Sequence, residues 1–120
     1  MYLYKEIKLT PFPITLHTYI GKDVKIFEDI QKDFDYNLLS GFNMEITKGI
    51  CSYDTDLNGN YIIWVMCKKY LLHEIVHCVD ALMQNIEVES MEFRAYYVDY
   101  LFNYLKNDKI YKKNHCKQGV

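Results

Sequence analysis

The chain has 120 residues, half of them hydrophobic and a quarter charged, with a formal net charge of -2. That composition suits one globular domain and excludes collagen-like, disordered and coiled-coil chains. The longest apolar run, Tyr61 to Cys67, is seven residues, against the roughly 20 a membrane-spanning helix requires.

In chain order, the first expected element is a strand over Tyr2 to Thr10, where Leu3, Lys5, Ile7 and Leu9 alternate with Tyr4, Glu6 and Lys8 until Pro11 and Pro13 end it. Ile14 to Ile20, rich in β-branched and aromatic residues, predicts a second strand in a meander with the first. Asp23 to Tyr36 carries Val24, Phe27, Ile30, Gln31 and Phe34 at helical steps, with Asp23 as the expected cap. Met44 to Tyr53 reads as a weaker strand. The turn cluster Asp54 to Asn60 then joins it to the apolar strand Tyr61 to Met66, so a hairpin is expected over residues 46–66.

From Lys68 to Gln84 the period becomes helical, with Leu72, Ile75, Val76, Val79 and Met83 on the expected core stripe. A second long helix is expected from Glu87 or Glu89 through Lys106, with Phe93, Tyr97, Tyr100, Leu101 and Tyr104 as its apolar face. Together these predict an α+β fold: a mostly antiparallel N-terminal sheet with a covering helix, then two helices. Residues 1–106 form the expected single domain. Residues 107–120 are rich in Lys and read as a basic, solvated tail.

Cys51, Cys67, Cys78 and Cys116 form no CxxC pair, and Lys5, Glu6 and Lys8 break any signal-like apolar run behind Met1. Reduced thiols and a cytoplasmic location are expected. Arg94 is the single arginine against 13 lysines. Because Arg is the usual reader of guanine edges, no sequence-specific nucleic-acid partner is expected.

Residues 73–77 read His73-Glu74-Ile75-Val76-His77, or H-E-x-x-H. On a helix the two histidines lie one turn apart, offset by about 40°, so both imidazoles can reach one metal ion. Glu74, about 100° from His73, can hydrogen-bond a water on that ion without ligating it. The flanking residues are mostly apolar, as a half-buried metal helix requires, and the His face lies about 110° from the centre of the expected stripe. On the following helix Glu89, Glu92, Tyr96, Asp99 and Asn103 form a polar stripe that an antiparallel partner would turn toward the histidines.

At these residues the chain resembles the zincin metallopeptidases. The resemblance implies Zn2+ held by His73, His77 and a third ligand on the next helix, as in the glutamate-liganded branch. Glu92 is the match, with Glu89 and Asp99 as alternatives. Glu92 followed by Ala95 within an aromatic helix also resembles short zincin-like phage proteins and the ImmA/IrrE group, which for a phage-encoded chain implies host cytoplasm. Two departures stand out: Tyr96 occupies the position where longer gluzincin motifs carry Asp, and the Gly and third ligand of metzincins are missing after His77.

The expected activity is hydrolysis of a protein or peptide substrate, with Glu74 as general base. Asp80 and Asp99 are candidate carboxylates to orient a liganding His, and Tyr96 is a candidate donor to the oxyanion. Tyr61 to Met66 is the expected cleft-bordering strand, pairing with an extended substrate. The competing expectation is a non-catalytic module of the same fold that binds metal or a protein partner.

Overall fold

The computed structural model describes residues 1–113. Five strands form one mixed sheet: β1 (Leu3–Lys8), β2 (Thr15–Ile20), β3 (Gly49–Ser52), β4 (Asn60–Val65) and β5 (Lys112–Lys113). Their spatial order is β3-β4-β2-β1-β5. Three pairings are antiparallel and one, β2 with β4, is parallel, in register from Thr15 opposite Asn60 to Ile20 opposite Val65. The helices are α1 (Lys25–Phe34), α2 (Leu71–Asn85) and α3 (Met91–Leu105).

β4 is buried along almost its whole length because both faces of the sheet are covered. Its residues alternate between two cores. Tyr61, Ile63 and Val65 pack with Leu71, Ile75, Val79 and Leu82 of α2 and with Leu101 and Leu105 of α3. Ile62 and Trp64 pack on the other face with Ile26 and Ile30 of α1 and with Tyr2, Tyr4 and Tyr19. The layers are therefore α1, sheet, and the α2–α3 pair.

Local chemistry moves several boundaries. α1 starts at Lys25 because Asp23 acts one step outside it, its Oδ1 accepting from the Lys25 N–H at 2.9 Å. β3 is only four residues long, since residues 43–47 close into turns in which Thr47 N–H donates to the Asn43 carbonyl. The Asp54 to Asn60 cluster forms a tight connection: Asp54 accepts from Asp56 N–H, and Asn58 and Gly59 take left-handed φ values of 52° and 83°. α3 begins at Met91 rather than Glu87 or Glu89 because Ser90 caps it, its hydroxyl accepting from Phe93 N–H at 3.1 Å.

Two expectations are corrected. On α2 the fully buried residues are Leu71, Ile75, Cys78, Val79 and Leu82, while Leu72 is exposed and Val76 and Met83 are only half-buried. The stripe is thus rotated by about 70° from the expected one. The apolar spacing admits both stripes, and the sheet selects the one that includes Cys78. The chain from residue 107 also leaves α3 in order: a 3-10 turn (Asp108–Ile110) leads to buried Tyr111, and β5 pairs with Leu3 and Tyr4. The rest of the expected tail lies outside the described residues.

Candidate metal centre

α2 needs no side-chain cap, because the 3-10 turn Lys68–Tyr70 feeds directly into it. The short connection from β4 fixes the rotation of the first helical turn, and with it the side on which each motif residue emerges. His73 and His77 emerge on the side away from the sheet, and Glu74 emerges beside β3.

The two imidazoles converge, with Nε2 of His73 and Nε2 of His77 3.2 Å apart and the rings edge to face. Two nitrogens at that separation, each at the usual zinc–nitrogen distance of about 2.0–2.1 Å, would subtend about 100° at the ion, close to the tetrahedral angle. The pair therefore fits two ligand positions of zinc. Both histidines are exposed, as a pair open to solvent and substrate would be.

Glu74 is buried, with Oε2 3.9 Å from His73 Nε2. Burial pushes its carboxyl above the ordinary carboxylate range, and the two histidines partly oppose that. The carboxylate lies against the backbone of β3 at Gly49. A Cβ there would stand 3.0 Å from both Cγ and Oε2 of Glu74 and 3.1 Å from Val65 Cγ1, so any side chain at this position would make Glu74 and Val65 give way by a few tenths of an ångström. Cys51 on the same strand is hydrogen-bonded to Cys78 of α2, which together with burial pushes its thiol well above the usual range. Cys51, Cys67 and Cys78 are free thiols, and Cys116 lies outside the described residues.

The other site candidates fall elsewhere. Asp80 is held by Arg94, with Arg94 Nε 2.6 Å from Oδ1 and Nη2 3.2 Å from Oδ2, rather than by a histidine. Arg94 holds the Asp80 carboxyl below the usual range. This contact sets the helices side by side, so Glu92, two residues before Arg94, lies toward the C-terminal end of α2, beyond Asp80. Glu92 and Asp99 are exposed on α3, and the stripe they share faces solvent. Among the described residues, no His, Cys, Asp or Glu completes the histidine pair into a three-donor group. Tyr96 lines a groove with Lys8, Thr10, Tyr97 and Tyr100, and that lining includes none of His73, Glu74 and His77. Glu89 lines a groove of about 880 Å³ at the α2–α3 link, which includes neither histidine.

The cleft at the motif is smaller, about 480 Å³, and is lined by residues that the motif alone does not reveal: Phe42, Ile46, Lys48, Gly49, Lys69 and Tyr70, beside His73 and Glu74. Its strand is β3, not Tyr61 to Met66. β4 lies inside the sheet between β3 and β2, whereas β3 is the edge. Met66 N–H donates to the Lys48 carbonyl, so antiparallel alternation turns the N–H and C=O of Gly49 and Cys51 outward. Comparison with protein-family models, with characterised proteins and with solved structures gave no match.

Proposed function

We propose that the chain is a zinc-dependent peptidase of the zincin kind. The observation that carries this reading is the convergence of the His73 and His77 Nε2 atoms at 3.2 Å beside the buried carboxylate of Glu74. His73 and His77 would hold the ion. Glu92 is the proposed third ligand, a role that rests on the family resemblance. Bound zinc supplies a water whose pKa is lowered to about 7.

Glu74 is suited to take a proton from that water and later deliver it to the leaving amine. Its raised pKa brings it closer to the working pH of a general base than an exposed carboxylate would be. Gly49 lets the edge strand close over that carboxylate, and the outward groups of Gly49 and Cys51 can pair with an extended substrate.

Metal analysis tests the reading. Purified wild type should carry about one zinc per chain, His77→Ala should carry none, and Glu92→Ala should lose most of it. A wild type without zinc at neutral pH ends the proposal, and a fully loaded Glu92→Ala removes Glu92 from the site. No helix among the described residues is long and apolar enough to cross a membrane.

A further inference from the structure

The segment between α1 and β3 is unusual in what it shows to solvent. Ile46 is 74% exposed and Phe42 47%, with Met44 and, across from it, Val24 also exposed. These four residues border two grooves that share Thr47 and Lys48. One is the cleft running to His73 and Glu74. The other, about 370 Å³, is an apolar pit between α1 and the end of β4, floored by Phe27, Trp64 and Met66.

The charge lining the two grooves is one-sided, although Glu45 stands exposed between Met44 and Ile46. Lys22 and Lys48 border the pit, and Lys48 and Lys69 border the cleft. None of the three forms an ion pair among the described residues, and Lys69 instead lies 5.1 Å over the Tyr70 ring. Glu74, buried against Gly49, is the single carboxylate in either lining. A chain that is net negative as a whole thus presents a cationic, apolar track beside β3, an edge strand of the sheet among the described residues.

We propose that this track selects the substrate: an extended peptide segment in which apolar side chains are interleaved with Asp or Glu. Main-chain pairing would lie on β3, apolar side chains would enter the pit and the Phe42–Ile46 side of the cleft, and the acids would meet Lys22, Lys48 and Lys69. The inference rests on the peptidase reading for the outcome of binding, but the selectivity itself needs only the surface.

The test uses the full chain and three fluorescein-labelled decapeptides: one repeating Leu-Leu-Glu-Glu, which brings both side-chain types to each face of an extended strand, a twin with Lys for each Glu, and a twin with Ser for each Leu. Anisotropy is measured with and without added zinc, and mass spectrometry follows cleavage in the same samples. The Leu/Glu peptide should bind at least about tenfold more tightly than either twin, with its advantage over the Lys twin shrinking at about 0.5 M salt. The double variant Lys48→Glu, Lys69→Glu should reverse the charge preference, and Ile46→Asp should weaken binding of the Leu/Glu peptide. Equal binding of the Lys twin shows a merely apolar surface, equal binding of the Ser twin a merely anionic attraction, and no binding an idle groove; each overturns the proposal. Selective binding without cleavage upholds it while removing the peptidase reading, and cleavage without discrimination does the reverse.

Discussion

α2 and α3 are both 15 residues long and lie against each other, yet α2 buries seven residues and α3 only Leu101 and Leu105. The difference follows from the layers. α2 packs along the sheet and against α3, whereas α3 packs on α2 and reaches the first strands through a few residues, among them Phe93 and Tyr97 against Phe12, and leaves a broad face open to solvent. For the site this means that the residues on α2 are held in place by packing, while Glu92, Tyr96 and Asp99 ride on the looser partner. It also means that the walls of the cleft come from β3 and the segment before it rather than from α3.

The largest expected effect sharpens the α2 side. Glu74→Gln should lower peptide hydrolysis by about 100-fold or more while leaving the zinc content unchanged. The same variant has a stability consequence of opposite sense. Because burial raises the pKa of Glu74 above its ordinary value of 4.5, the native state binds that proton more tightly than the unfolded state does. Stability is therefore lost as pH rises through the unfolded and then the folded pKa. Metal-free Glu74→Gln should accordingly melt above metal-free wild type at neutral pH, with the gap closing below about pH 4.5.

Packing gives the next effect. Leu82→Ala, at a fully buried α2 position, should cost about 2–5 kcal/mol in urea unfolding. Tyr100→Ala, at a half-exposed α3 position, should change stability by only about 0.5 kcal/mol. Equal costs would break the contrast between the helices. Gly49→Ala should cost about 1–3 kcal/mol, since its methyl group would press on Glu74 and Val65, and it should reduce hydrolysis with zinc retained. The smallest effect belongs to the helix–helix ion pair. Asp80→Asn should lower stability by less than about 1 kcal/mol, because both partners are partly exposed.

Much of this architecture is legible residue by residue. The alternation of Leu3, Lys5 and Ile7, the seven-residue apolar run from Tyr61 and the turn cluster before it identify three strands, because periodicity and turn chemistry are local properties. The H-E-x-x-H spacing likewise places two imidazoles together, since the helix geometry alone decides it. The sequence was ambiguous wherever two solutions shared one pattern. On α2, Leu72, Val76 and Met83 form as good a stripe as Leu71, Cys78 and Leu82, and only contact with the sheet separates them. The acidic stripe of α3 is exposed, as His73 and His77 are, because Leu101 and Leu105 claim the side toward the core.

The amino-acid sequence by itself determined the convergence of His73 and His77, the place of Glu74 beside them and the helix that carries all three, through interactions spanning a few residues. Tertiary structure decided which strand forms the edge, since strand order depends on pairings between β2 and β4 that lie more than 40 residues apart. It also decided that Gly49 faces Glu74, and that Phe42, Ile46, Lys48 and Lys69 line one cleft with His73 and Glu74. None of those contacts has a periodic trace in the chain, because each joins residues that burial of the two cores, not local geometry, brings together.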